Sequence, residues 1–109
     1  MATKIKAYGT QDPKADLKEM TIERRDLNEN DVKIDIMYCG VCHSDIHSAR
    51  NDWGNAKYPI VPGHEIIGKV SEVGNKVSNF KEGDLVGVGC MVDSCLTCSA
   101  CEEDLEQFC

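Results

Sequence analysis

The chain has 109 residues, with 12 Lys and Arg against 19 Asp and Glu, so its formal net charge (12 − 19) is −7. This acidic balance argues against a nucleic-acid-binding surface, which needs clustered cationic side chains. Charged residues also interrupt every long apolar stretch, and no apolar run follows a basic start at the N-terminus, so the sequence predicts neither a membrane-spanning helix nor a secretory signal.

Short strands separated by turns dominate the first ninety residues or so of the chain. Apolar and polar residues alternate over residues 4–9, 20–23 and 32–36, which is the two-residue period of half-buried strands. Residues 44–51 predict a short helix, since Ser44 and Asp45 are helix-capping residue types and Ile46 and Ala49 are three residues apart. A proline-restricted passage at 58–63 leads into a strand at 66–73, and turns precede a last strand at 85–88. We therefore expect a mainly β fold, a small barrel with one short helix.

Seven cysteines without an export signal indicate a reducing compartment, where closely spaced cysteines bind metal or carry out redox chemistry more often than they form disulfides. Four of them, Cys95, Cys98, Cys101 and Cys109, fall within the last fifteen residues at spacings that suit a closed tetrahedral zinc shell. Residues 90–109 hold few large apolar side chains, so bound metal would supply the free energy that orders this lobe. The spacing predicts a structural zinc, while disulfides, free thiols and a redox pair remain alternatives.

Cys42 and His64 form a second pattern, which spacing alone supports less strongly. Cys42 lies at the predicted junction of a strand and a helix, and His64 follows the rigid Pro62-Gly63 bend, so the two could ligate a catalytic zinc that keeps an open position. The same cysteine completes a Cys39-x-x-Cys42 pair, which leaves a second structural site or a redox dithiol open.

Three motifs, in this order, resemble those of the zinc-dependent medium-chain alcohol dehydrogenases: GVCHSD at residues 40–45, PGHE at 62–65 and the four-cysteine lobe. Within that family, His43, YPIVPGHE at 58–65, VGVGC at 86–90 and LEQFC at 105–109 resemble the cinnamyl alcohol dehydrogenase group of NADPH-dependent aldehyde reductases. The resemblance covers nearly all of the chain. It implies that residues 1–109 are the N-terminal part of a GroES-like catalytic domain, an incomplete barrel with its zinc lobe at 90–109.

The resemblance also implies a role for each of several residues. It assigns Cys42 and His64 as ligands of a catalytic zinc, with Glu65 as a neighbouring carboxylate that can approach the metal, and the four lobe cysteines as ligands of a structural zinc. Asp45 matches the acid that orients the histidine ligand. The other implied roles are a proton relay at Ser44 and His47, a cofactor-phosphate contact at His43, and substrate-pocket positions at Trp53 and Cys90.

The resemblance implies that the full-length protein is a cytoplasmic, homodimeric enzyme. This enzyme would interconvert primary alcohols and aldehydes with NADP(H). The family's third catalytic ligand is a cysteine beyond the lobe, and no Gly-x-Gly-x-x-Gly follows a strand in residues 1–109, so we expect no nucleotide-binding domain here and no activity from this part alone. Two other classes stay open. One is a non-catalytic structural zinc-binding module, and the other is a redox-sensing dithiol protein that uses Cys39 and Cys42.

Overall fold

The computed structural model describes residues 3–109, and the fold is mainly β, as the sequence predicts. Met1 and Ala2 lie outside the described residues. They are the first residues of the N-terminal stretch in which the sequence predicts no secretory signal. Two strands, β1 (Thr3–Gly9) and β2 (Lys18–Arg24), form an antiparallel hairpin. Three more strands, β3 (Val32–Cys39), β4 (Ile66–Val73) and β5 (Leu85–Val88), form a second antiparallel sheet in that order.

The helical segments lie at the two places where metal ligands are expected. Helix α1 (His43–Ala49) follows β3, while α2 (Ser99–Glu102) and a single 3₁₀ turn (Glu106–Phe108) lie in the cysteine lobe. The prediction of one short helix therefore missed α2, because four residues inside a cysteine cluster show no apolar period. The predicted bounds of α1 were also wrong: the helix begins at His43 and ends at Ala49, after which Asn51 adopts a positive φ of 59°.

The loop before β3 packs on the turn after β4. The Gly74 amide donates to the Asp31 carbonyl at 2.8 Å, and the Lys76 amide donates to the Glu29 carbonyl at 2.8 Å. A Cβ atom on Gly74 would lie 2.2 Å from the Asn28 carbonyl oxygen, a separation that no side chain tolerates. Glycine is therefore required for this close approach of two backbone segments.

The two sheets are open, and few apolar side chains are buried. Among residues 3–109, the buried apolar side chains are Ala49, Val70 and Cys101, whereas Tyr38 and Leu85 on the three-stranded sheet remain more than 60% exposed. This arrangement fits the expected incomplete barrel. Within the part of the chain that the structure describes, no helix has the length and apolar character needed to cross a membrane.

Candidate functional site

The first turn of α1 organises one cluster of candidate ligands. Cys42 is the N-cap of the helix, although Ser44 and Asp45 were the predicted capping residues. Asp45 contributes differently, because its carboxylate accepts the Cys42 amide at 3.0 Å. The helix start therefore fixes both the cysteine that precedes it and a largely buried acid one turn later.

The extended segment that follows α1 brings His64 to this acid. The second oxygen of the Asp45 carboxylate lies 3.1 Å from Nδ1 of His64, so one side chain contacts both candidate ligands. The Gly40 amide donates to the Glu65 carbonyl at 2.9 Å, and a Cβ on Gly40 would lie 3.2 Å from the Cβ of Glu65. The absence of a side chain at Gly40 thus lets Glu65 lie close to the end of β3.

Cys42, His64 and Glu65 form a set whose ligand atoms all lie within 4.8 Å of one another. A thiolate, an imidazole and a carboxylate are all zinc donors, and three protein ligands leave one coordination position open. The carboxylate of Asp45 on Nδ1 favours the tautomer that offers Nε2 to a metal. The donor set therefore fits a catalytic zinc, which Cys42, His64 and Glu65 would hold among the described residues.

Hydrogen bonds and charges in this cluster stabilise the thiolate form of Cys42 and the protonated form of the His64 ring. The pKa of Cys42 is lowered, chiefly because the Ser44 hydroxyl donates to its sulfur at 3.3 Å, with a further contribution from His64. The pKa of His64 is raised, first by its contact with Cys42 and then by the charge of Asp45, while partial burial acts in the opposite direction. These contacts shift Cys42 towards the thiolate form, which is the form that metal binding needs.

His47, the second residue of the expected proton relay, lies in an aromatic stack on α1. Its ring is parallel to that of His43, with centroids 5.1 Å apart and an interplanar angle of 11°, and the Trp53 ring centroid is 5.2 Å away. Asp52 holds Nδ1 of His47 at 2.8 Å. The side chain of His47 is 40% exposed, so the stack leaves part of it open to solvent.

The two expected pocket residues lie in different surroundings. Trp53 is 57% exposed and contacts the His47 ring. Cys90 comes two residues after the end of β5 and is exposed, and within residues 3–109 no hydrogen bond joins it to the Cys42 cluster. The structure therefore brings Trp53 to the relay histidine, and Cys90 follows the end of β5, where Val88 pairs with Ile66, the residue directly after Glu65.

The four lobe cysteines form the second cluster. A tetrahedron with metal–sulfur bonds of about 2.3 Å places its sulfurs about 3.8 Å apart. The sulfur of Cys101 lies 3.9 Å from that of Cys95 and 3.5 Å from that of Cys98, and all four sulfurs, that of Cys109 included, are within 4.8 Å of one another. These separations are far longer than the roughly 2.05 Å of a disulfide bond. The lobe is thus shaped for a zinc ion held by four thiolates.

Backbone amides stabilise negative charge at one sulfur of this lobe. The amides of Thr97 and Cys98 donate to the sulfur of Cys95 at 3.5 and 3.3 Å, and they lower the pKa of that thiol to about 6. The Cys95 amide acts to lower the pKa of Cys109, but the three neighbouring thiols outweigh it and raise the value to about 11. Without metal, the cluster holds its negative charge unevenly.

Three residues support the first cluster in ways that the sequence did not predict. Gly40 makes room for Glu65, Asp52 holds His47, and Tyr58 donates its hydroxyl to the Ala49 carbonyl at 2.7 Å. None of these contacts follows from a spacing rule. Only the glycine directly after the cysteine at the end of β3 offered a hint, as a place where two backbones meet closely.

A family model described as "Alcohol dehydrogenase GroES-like domain" matches residues 28–109. The chain belongs to this family. It is 56% identical to aldehyde reductase YahK from Escherichia coli over 97% of this chain and 30% of that protein, and 56% identical to a mannitol dehydrogenase from Petroselinum crispum over 85% of this chain and 28% of that protein.

A solved structure of a similar protein has the same fold over this chain. The cinnamyl alcohol dehydrogenase of Helicobacter pylori, complexed with NADP(H), superposes with a TM-score of 0.93 and 47% identity over 100% of this chain and 31% of that chain. The predicted resemblance to the zinc-dependent alcohol dehydrogenases, and within them to the cinnamyl alcohol dehydrogenase group, is thus confirmed. The chain spans about 30% of the length of the proteins it matches.

Proposed function

We propose that this chain provides the zinc-binding part of the catalytic domain of an NADP(H)-dependent alcohol dehydrogenase that interconverts primary alcohols and aldehydes. The observation that carries the proposal is the Cys42–His64–Glu65 triangle, in which one buried carboxylate, Asp45, contacts both of the first two ligands. Similarity to an aldehyde reductase and to a cinnamyl alcohol dehydrogenase supports the reaction class.

In this proposal a zinc ion at the triangle supplies Lewis acidity toward the substrate oxygen. Ser44, with its hydroxyl 3.3 Å from the Cys42 sulfur, is close enough to accept the proton of a substrate hydroxyl. Ser44 and His47 are three residues apart on α1 and so share a face of the helix. Asp52 on Nδ1 leaves Nε2 of His47 to receive the proton from Ser44.

The cofactor and the substrate would both bind next to His47. His43 is exposed beside His47, which suits the proposed contact with the cofactor phosphates, and the exposed ring of Trp53 offers an apolar wall to a substrate. A bound nicotinamide cofactor would supply the hydride chemistry, and Ser44 and His47 would take the hydroxyl proton of the alcohol. The proposal also includes Cys90 as a residue of the substrate pocket. It further includes a homodimeric, cytoplasmic enzyme in which residues 1–109 belong to the catalytic domain and a separate domain binds the nucleotide.

The test is a chimera in which residues 1–109 replace the matching segment of aldehyde reductase YahK. We expect NADPH-dependent aldehyde reduction, and a loss of about 100-fold or more in kcat with His47→Ala, since a proton relay contributes on that order. Cys42→Ser should abolish turnover, whereas Cys39→Ser, a matched change at an exposed thiol outside the ligand triangle, should not.

Other results would favour the other classes of protein. One zinc per chain, insensitive to Cys42→Ser, would indicate a structural zinc-binding module. A loss of two titratable thiols on mild oxidation, without metal release and dependent on Cys39, would indicate a redox dithiol. An inactive chimera that folds and binds two zinc ions would contradict the proposed reaction.

A further inference from the structure

One of the two ligand-bearing parts of the first cluster is a short extended segment, residues 58–65, which we call the connecting segment. It starts at Tyr58 and ends with His64 and Glu65. Its middle is fixed to the hairpin, because Ile60 and Thr10 exchange two backbone hydrogen bonds of 2.9 Å and Thr10 is fully buried. Its last residue is fixed to the end of β3 through the Gly40 amide.

The first residue of the connecting segment is fixed to α1. The Tyr58 hydroxyl donates to the Ala49 carbonyl at 2.7 Å, and Ala49 is the last residue of the helix and only 6% exposed. Carbonyls in the last turn of a helix lack partners within the helix, so this one depends on an outside donor. Burial raises the pKa of Tyr58, so the hydroxyl keeps its proton at neutral pH.

We propose that Tyr58 is a positioning residue for the zinc centre, an inference that rests on the proposed function. Cys42 and Asp45 lie in the first turn of α1, and the Tyr58 bond holds the last turn of the same seven-residue helix. The connecting segment therefore contacts the helix at both ends, through Tyr58 on Ala49 and through His64 on Asp45. Because the helix is so short, a tilt at its last turn moves its first turn, and with it the Cys42 sulfur relative to His64.

The chain offers a matched pair of substitutions. Tyr58→Phe removes only the hydroxyl from a half-buried ring, whereas Tyr38→Phe removes the hydroxyl of a ring that is 69% exposed on β3. A net hydrogen bond of this kind corresponds to about a five-fold change in an equilibrium constant. We expect Tyr58→Phe to weaken metal binding at the Cys42 cluster by about that factor, and Tyr38→Phe to leave it unchanged.

The probe is Co²⁺, added to the chain after one equivalent of Zn²⁺ has filled the four-cysteine lobe. Its ligand-field and thiolate-to-cobalt bands report the geometry at Cys42 as well as the affinity. With Tyr58→Phe, we expect a raised Kd and altered ligand-field bands, with zinc retention in the lobe unchanged. An unchanged Kd and spectrum, or an equal loss of metal at both clusters, would overturn the inference.

A measurement on the unsubstituted chain keeps the inference testable if Tyr58→Phe does not fold. With ¹³C-labelled tyrosine rings, the second equivalent of zinc should shift the Tyr58 resonance and leave that of Tyr38 unmoved, since coupling between two sites is reciprocal. A stationary Tyr58 resonance alongside zinc binding at Cys42 would refute the role of Tyr58 alone. No second metal ion in the unsubstituted chain would refute the proposed centre and, with it, this inference.

Discussion

Asp45→Asn tests how the first cluster holds its ligands. The Asp45 side chain is 11% exposed, and its two oxygens accept from the Cys42 amide at 3.0 Å and contact Nδ1 of His64 at 3.1 Å. An asparagine keeps one acceptor oxygen and presents an NH₂ group where the other was. One of the two donors, the Cys42 amide or the His64 ring, would then face another donor and remain buried without a partner.

The expected effect follows from that single lost bond. A hydrogen bond to a charged group contributes about 1.5–3 kcal/mol, which is the range of the roughly 10- to 100-fold loss in metal affinity seen when a group that orients a ligand is replaced. We therefore expect Asp45→Asn to weaken zinc binding at Cys42 and His64 by about 10- to 100-fold, with the zinc in the cysteine lobe as an internal reference.

The assay is competition with a chromophoric chelator, with the free energy of unfolding measured in urea as a check on the fold. Asp35→Asn is the control, because it makes the same chemical change at an exposed position of β3. An affinity within two-fold of the unsubstituted chain would show that Asp45 does not organise the site. Equal weakening by Asp35→Asn would show that net charge, and not the contacts of Asp45, sets the affinity.

Three further predictions concern the rest of the molecule. Cys98→Ser should remove the more tightly held zinc and speed hydrogen exchange over residues 90–109 while the β-strands stay protected, and unchanged exchange there would contradict the four-thiolate assignment. In the metal-free chain, iodoacetamide should modify Cys95 from about pH 6 upward, because its thiolate predominates above its pKa, whereas Cys109, with a pKa of about 11, should react slowly up to pH 9. Equal rates at pH 7.5 would refute that difference. Gly74→Ala should lower the free energy of unfolding by about 1–3 kcal/mol through overpacking, and Gly89→Ala, where a Cβ meets nothing within 4 Å, should change it little.

The strands could be predicted wherever the evidence for them was local. The bounds of β4 and β5 agree with the sequence, since alternation and flanking turns define both ends. Strand β3 runs to Cys39 and not to Ile36, because its last residues pair with β4 beyond a register shift between Ile36 and Tyr38. That continuation depends on pairing with residues of β4 that are 27 to 29 positions away in sequence (66 − 39 and 67 − 38), which no local pattern encodes.

The start of α1 shows why the site was harder to predict than the fold. Cysteine is not a favoured N-cap, so the local rule pointed to Ser44 and Asp45 and missed the contribution of the Asp45 carboxylate to the Cys42 amide. The pairing of Cys42 with His64 spans 22 positions, so spacing supported it only weakly and the resemblance carried the assignment. Tyr58 opens the YPIVPGHE motif, but its contact with α1 could not be predicted, because a hydroxyl that donates to a helix carbonyl has no characteristic spacing.

The two clusters differ in what holds their ligands together. In the lobe, four sulfurs come from fifteen consecutive residues, of which Cys101 alone is buried, so little besides metal orders that segment. At the first cluster, the ligands come from separate segments, but backbone and side-chain hydrogen bonds join those segments before any metal binds: Gly40 to Glu65, Asp45 to Cys42 and His64, and Tyr58 to α1. A closed shell of four thiolates suits stability, whereas a preorganised set of three donors with one open position suits a reaction at the metal.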